Sequence, residues 1–218
     1  MAPQIQTVNL GFVNCYLVRT GEGFVLIDTG IRGKRQALEA ALSRVGCKPG
    51  TLKLVVITHG DVDHTGNCAY LRQTYGAPIA MHVADSEMVE HGEMRQNRIV
   101  KSRFLRTMHV FMRLFRISER MAATFEKFKP DFYLEDGQNL KDRGLDATVV
   151  HIPGHTAGSI GILFPSGDFI CGDTLQNGSP ATIIADEAEL TSSIVRLSAL
   201  NPKMVYPGHG RQFPWANP

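Results

Sequence analysis

Two histidines and two aspartates fall within six residues in the stretch VVITHGDVDHTGN, residues 55–67. Their spacing is His59-x-Asp61-x-Asp63-His64, directly after a run of apolar, β-branched residues. Imidazoles and carboxylates gathered without a thiolate motif are the usual donor set for zinc, manganese or iron. Further along the chain, sharp polar residues recur singly beside Gly, Thr or Pro: His155 in VVHIPGHTAGS, Asp173 in FICGDT and His209 in MVYPGHG. Two cations a few ångströms apart need roughly six or seven protein donors, with a carboxylate shared between them. His59, Asp61, Asp63, His64, His155, Asp173 and His209 supply that many.

Taken singly, each of these residues has an ordinary explanation. An Asp at a strand end is most often a helix cap or an Asx-turn residue, and a lone loop histidine is most often a surface residue. His82, His91, His109 and His151 are read in that way. What sets the other seven apart is coincidence, since four separate segments each lead from an apolar run into a turn bearing such a residue. Loops on rigid strands are where a fold can place charged groups accurately.

The elements that must do the placing follow from pattern. Ile5 to Leu10, Asn14 to Val18 and Phe24 to Asp28 read as short strands, with GFVLIDTG apolar enough to be covered on both faces. Ala37, Leu38, Ala41, Leu42 and Val45 recur at helical steps, so Lys34 to Val45 reads as a helix stopped by Gly46. LKLVVIT is the next buried strand, Cys68 to Tyr75 a helix ended by Gly76, and PIAMH another strand. DATVVHI, SIGILF and DFICGD return to sheet, followed by a helix over Glu187 to Leu200 and the strand KMVYP. Strands and helices interleave throughout, which predicts an α/β fold with layered sheets.

Between these halves the stretch 85–130 changes character. It reads as helical, dense in Arg, Met and Phe, and strongly basic in a chain whose formal net charge is only +2. That small surplus gives no reason to expect nucleic acid as a partner. At 218 residues, 43% apolar and 20% charged, the chain is expected to form one domain, with 85–130 as a helical insertion. Met108, Phe111, Met112, Leu114, Phe115 and Ile117 would line an apolar lid or pocket, while Arg103, Arg106, Arg113 and Arg116 would meet solvent or an anionic group. Plain packing, a homodimer contact and a membrane-surface helix are the other readings of that segment. Cys15, Cys47, Cys68 and Cys171 have no CxxC spacing and read as buried thiols of a reducing compartment. The N-terminus lacks signal-peptide character and no run reaches about 18 apolar residues, so no membrane span and a cytoplasmic location are expected.

HGDVDH, followed in order by PGHTAGS, CGDT and YPGHG and preceded by Asp28-Thr29-Gly30, resembles the motif series of the metallo-β-lactamase fold superfamily. The resemblance implies a four-layer αβ/βα sandwich with a binuclear metal centre at one edge. It implies two divalent ions, zinc first, with manganese or iron as alternatives. It assigns His59 and His155 to the first ion, Asp63, His64 and His209 to the second, and Asp173 to a bridge between them. Asp61 departs from the family pattern, which has histidine there. A carboxylate is an acceptable donor for the same metals, so Asp61 reads as a ligand or as a group just outside the first ion's shell. In the mechanism so implied, metal-activated water attacks and Asp63 both ligates and accepts a proton; Cys171 and Ser159 read as core and loop-supporting groups rather than nucleophiles.

The leading expectation is a metal-dependent hydrolase of small ester, lactone or thioester substrates carrying an apolar or anionic part. An iron-dependent oxidoreductase or dioxygenase of the same fold, and a non-catalytic metal-binding module, are the alternatives. β-Lactam hydrolysis fits less well without a secretion signal, and RNA or DNA processing fits less well because the expected nuclease domain would not fit in this length.

Overall fold

A computed structural model describes residues 4–92, 98–101 and 124–216. Three antiparallel strands open it: β1 (Gln4–Asn9), β2 (Asn14–Thr20) and β3 (Gly23–Ile27). Helix α1 (Arg35–Arg44) carries the chain to β4 (Leu52–Val56), which lies parallel to β3. The one-turn helix α2 (Val62–Thr65) and α3 (Cys68–Tyr75) lead to β5 (Ile79–His82), parallel to β4. After α4 (Ser86–His91) and the two-residue β6 (Ile99–Val100), β7 (Phe132–Leu134) pairs in parallel with β5. The first sheet therefore runs β1-β2-β3-β4-β5-β7.

The second sheet starts with β8 (Thr148–His151), β9 (Ile160–Leu163) and β10 (Asp168–Gly172), all antiparallel neighbours. A hairpin of β11 (Leu175–Gln176) and β12 (Ser179–Pro180) follows, then β13 (Ile183–Ile184), which pairs with β6. Asp186 opens α5 (Glu187–Leu200) by accepting hydrogen bonds from the backbone N–H groups of Ala188 and Glu189. The chain returns through β14 (Met204–Pro207), parallel to β10, and ends in β15 (Phe213–Pro214).

Alternation along the strands makes the layers. Tyr16, Val18, Val25, Ile27, Leu54 and Val56 pack with Val149, Ile160, Ile162 and Ile170 in a core between the two sheets. The intervening Cys15, Leu17, Phe24, Leu26 and Val55 face the opposite way, against Leu38 and Leu42 of α1 and Leu71 of α3. On the outer face of the second sheet, Val150, Phe169, Cys171 and Val205 pack on Leu197 of α5. Both faces of each sheet are covered, which is why these strands are apolar at nearly every position. Helix, sheet, sheet, helix is the four-layer α/β sandwich expected.

Parallel pairing has a consequence for chemistry. Because β3, β4 and β5 run the same way, as do β10 and β14, their C-terminal ends open at a common side. Asp28, Thr58, His59, Asp85, Asp173 and His209 all follow those ends. The halves are tied there: Asn14 donates through Nδ2 to the carbonyls of Pro207 (3.1 Å) and Gly210 (2.8 Å), and the Tyr16 hydroxyl donates to Pro207 at 2.5 Å.

Some elements differ from expectation. The turn within HGDVDH is a short helix rather than a loop, because Asp61 is extended and its carbonyl accepts from the N–H groups of His64 and Thr65. In 85–130, Ser86–His91 is helical as expected, but Ile99–Val100 is a strand, recruited by pairing with the distant Ile183–Ile184. Residues 125–130 run without helix, with Phe125 and Phe128 buried in the core that the first sheet forms with α1 and α3. The amphipathic positions named between 103 and 117 lie outside the described residues. All four cysteines are free and buried, and no helix among the described residues is long and apolar enough to cross a membrane.

Replacing Asn14 by Ala leaves the Pro207 and Gly210 carbonyls short of a donor in a largely buried place. The expected cost is about 1–3 kcal/mol, read as a lower midpoint in denaturant unfolding, with the slope unchanged.

Candidate metal centre

The residues singled out by spacing come together at the common strand edge. His59, His155 and Asp173 present ligand atoms that all lie within 4.8 Å of one another, and so do Asp63, His64 and His209. The two groups abut. The His59 ring centroid lies 4.1 Å from that of His64 and 4.8 Å from that of His155, and the rings of His64 and His209 are 5.4 Å apart. Asp173 sits at the junction, with Oδ1 3.4 Å from His64 Nε2 and Oδ2 3.1 Å from His209 Nε2 and 3.9 Å from His155 Nε2.

Each imidazole has one nitrogen committed elsewhere. His64 donates through Nδ1 to Asp28 Oδ2 at 2.8 Å, and His155 through Nδ1 to the Ile183 carbonyl at 2.7 Å. His209 donates through Nδ1 to the Phe12 carbonyl at 2.6 Å. Thr58 gives its hydroxyl proton to Asp28 Oδ2 (2.8 Å), leaving its oxygen to accept from His59 Nδ1 at 3.0 Å. With all four Nδ1 atoms engaged as donors, all four Nε2 atoms turn inward, and these are the nitrogens that would give up any proton they hold to ligate a metal.

Asp28 holds two of these rings at once. Its Oδ1 also accepts from the Thr58 backbone N–H at 2.9 Å. The residue is buried and takes the left-handed conformation, φ 59°, a strained setting for a residue other than Gly, though Asp and Asn tolerate it best. Two glycines let the walls close in. A Cβ on Gly208 would lie 2.2 Å from Asp173 Oδ1, and one on Gly172, φ 51°, would lie 2.7 Å from Thr58 Oγ1.

The donors fit a divalent cation on a further ground. Nε2 of His59, Nε2 of His64 and Oδ1 of Asp173 are buried and lack a hydrogen-bond partner among the described residues. Buried polar atoms are ordinarily satisfied, and a cluster of orphaned lone pairs marks the place of an ion or water.

Asp61 borders the first group and is shared with an arginine. Arg98 grips it with both ends of its guanidinium, Nη1 to Oδ2 at 2.5 Å and Nη2 to Oδ1 at 2.6 Å. Asp61 Oδ2 still faces His155 Nε2 at 3.1 Å and His59 Nε2 at 3.5 Å. Asp85 supplies a further brace: it accepts from Gly60 N–H (2.8 Å), Thr156 Oγ1 (2.7 Å) and Gly158 N–H (2.8 Å), so one carboxylate clamps the His59 loop to the His155 loop.

Crowding of unlike groups displaces their titration. Burial pushes His64 down, but Asp173, Asp28 and Asp63 outweigh it and hold it well above the usual imidazole range. His209 is likewise raised, to about 10, by Asp173 and Asp63 against the opposing effect of burial. Burial alone would raise Asp173, yet His64 and His209 keep it well below the usual carboxylate range. For Asp61 the same burial is overcome by His155, His59 and Arg98.

Reading the residue spacing alone overlooked Asp85, Arg98 and Phe12. Asp85 carried the signal used for the others, a carboxylate just past an apolar strand, but no motif marked it. Arg98 appeared only as one basic residue among many. Of the histidines set aside, His82 and His151 stack on each other at 4.1 Å, away from the two groups, and His91 ends α4 on the surface; His109 lies outside the described residues.

The metallo-beta-lactamase superfamily profile matches residues 8–209, and the chain belongs to that superfamily. The acyl-coenzyme A thioesterase MBLAC2 of Bos taurus is 30% identical over 228 residues, covering 92% of this chain and 74% of that protein. The probable metallo-hydrolase MJ0888 of Methanocaldococcus jannaschii is 28% identical over 204 residues, covering 90% and 87%. Among solved structures, that of TTHA1623 in a di-iron-bound form superposes with a TM-score of 0.67 at 27% identity, covering 98% of this chain and 94% of that one.

Asn at position 28 keeps the shape and the left-handed backbone but has one acceptor oxygen, so it cannot serve the Thr58 N–H at one end and the Thr58 hydroxyl and His64 Nδ1 at the other. Asp28→Asn is therefore expected to weaken zinc binding about 10–100-fold, the usual scale for an outer partner of a ligand, as measured by competition with a chromophoric chelator. Raised imidazoles must also shed protons before they can bind a cation. Zinc affinity is expected to climb as pH rises from 6 to 9, with protons released on binding; calorimetry in two buffers of different ionisation enthalpy would count them, and a pH-independent affinity would contradict the ordering.

Proposed function

We propose that this chain is a metal-dependent hydrolase of small ester, lactone or thioester substrates, with thioesters the first class to examine. The observation that carries the reading is the inward aim of four imidazole Nε2 atoms whose Nδ1 atoms are all engaged elsewhere. His59, His155 and Asp173 would hold one divalent ion and Asp63, His64 and His209 the other, with Asp173 shared; Asp61 contributes to the first only alongside Arg98. Zinc suits the nitrogen-rich donors, while the di-iron-bound form of TTHA1623 supports iron as the alternative. The name of MBLAC2 supports thioesters over the other two classes.

Such a pair of ions supplies Lewis acidity, polarising an acyl oxygen and making water nucleophilic near neutral pH. The protein does the rest. Asp63 is the more exposed of the two candidate catalytic carboxylates, its side chain 23% accessible against 8% for Asp173, so it can meet water and take its proton. As the water oxygen bonds to the acyl carbon and the carbon–sulfur bond breaks, that proton passes to the departing sulfur. Asp173 stays fixed between His64, His155 and His209. Phe12, 53% exposed and stacked on the His209 ring, offers an apolar surface beside the centre for an acyl chain. The 85–130 insertion is proposed as a lid or substrate pocket, and the buried thiols suit a cytoplasmic setting.

The test is turnover of an acyl-coenzyme A series, read by thiol release, alongside elemental analysis. About two zinc per chain and hydrolysis lost by more than about a hundredfold in Asp173→Asn, beyond the loss an outer partner causes, are expected. Predominant iron with oxygen consumption in place of thiol release would put the oxidative reading ahead. No metal and no turnover would leave a non-catalytic module.

A further inference from the structure

The pairing of Asp61 with Arg98 calls for a reason. Asp61 is a negative donor at a position where the resemblance of the motif series implies a neutral imidazole. Arg98 reaches it from a separate segment next to β6, with both carboxylate oxygens engaged at 2.5 and 2.6 Å. The arginine is enclosed: its side chain is 10% exposed, and its Nε is buried without a partner among the described residues. A bidentate guanidinium uses one lone pair of each carboxylate oxygen and leaves others free. Beside its bond from Arg98, Oδ2 also meets His155 Nε2 at hydrogen-bond distance, 3.1 Å, and lies 3.5 Å from His59 Nε2.

We propose that Asp61 and Arg98 act as one unit, a charge-neutral substitute for the missing imidazole, in which Arg98 is a positioning residue that weakens cation binding at the His59–His155–Asp173 group. This rests on the metal-centre reading above. A fixed positive charge on the far side of Asp61 offsets the carboxylate's charge, competes for its lone pairs and repels an arriving dication. The first group is thereby kept weaker than Asp63–His64–His209, which has no arginine against it among the described residues. β6 holds Arg98 in place by pairing with β13, and the Ile183 carbonyl of β13 accepts from His155 Nδ1. The same two-stranded contact thus sets both the imidazole and the cation that opposes it.

Zinc titrated into the metal-stripped chain against a chromophoric chelator gives two dissociation constants, assigned to their groups with His155→Ala and His209→Ala. Arg98→Met is expected to tighten the first-group constant by about tenfold or more, the scale on which outer partners tune metal sites, and to leave the second within about threefold. Arg98→Lys, which keeps the charge but loses the fork, should stay within about threefold of the parent. Asp61→Asn strands the guanidinium beside the cation and should weaken the first group by about tenfold or more, while Asp61→Asn with Arg98→Met should recover it. A first-group constant unchanged or weakened in Arg98→Met overturns the proposal, as does an equal change in Arg98→Lys. Should Arg98→Met not fold, the double variant decides, and failure to recover overturns the proposal. Zinc binding indifferent to His155→Ala would overturn the metal-centre reading itself; binding through His155 that ignores residue 98 overturns only the pairing.

Discussion

A single carboxylate fixes the aim of half the imidazoles. Asp28 binds His64 directly and His59 through Thr58, so its charge sets two tautomers and two ring orientations together. This works because Asp28 leaves β3 in a left-handed turn that carries its side chain across to the end of β4. The strain of that turn, on the order of 1–3 kcal/mol for such a residue, is offset by three hydrogen bonds to buried partners. Were Asp28 neutral, both Nδ1 donors would compete for weaker acceptors and the Nε2 atoms would lose their fixed direction.

The other two imidazoles are aimed by the main chain. Carbonyls of Ile183 and Phe12 orient His155 and His209, and each carbonyl lies far in sequence from the ring it holds. His209 depends on the loop after β1, and that loop is tied to the end of β14 through Asn14 and Tyr16. His155 depends on the small β6–β13 pairing. The centre is thus assembled from both halves of the chain, and neither half alone would orient more than part of it. Asp85 adds to the same dependence by clamping two ligand loops to one buried carboxylate.

Crowding so many carboxylates and imidazoles into a closed edge is costly unless charge is matched. In the absence of cations, the imidazoles answer by holding protons, which is why His64 and His209 are displaced upward. Divalent ions bound there would relieve the same crowding by replacing those protons. Metal binding, pH and stability would therefore be linked through one set of side chains. Arg98 enters this balance as a permanent positive charge that no pH change removes.

Much of this was legible in residue order. HGDVDH, PGHTAGS, CGDT and YPGHG named the candidate donors because ligand chemistry restricts residue type, and strand-end placement followed from apolar runs that break at Gly, Thr or Pro. The four layers followed from strands apolar on both faces and helices apolar on one. The sequence by itself thus determined which side chains could bind a metal and which elements would carry them. Only the tertiary structure decided how each was aimed: which nitrogen of each histidine is committed, that Asp28 serves two rings, that Asp85 joins two loops, and that Asp61 is held by Arg98. Those contacts join residues between one and nearly two hundred positions apart, with no common spacing. Local pattern encodes period and composition, whereas a hydrogen bond across two strand ends depends on register and pairing, which exist only once the sheets have formed.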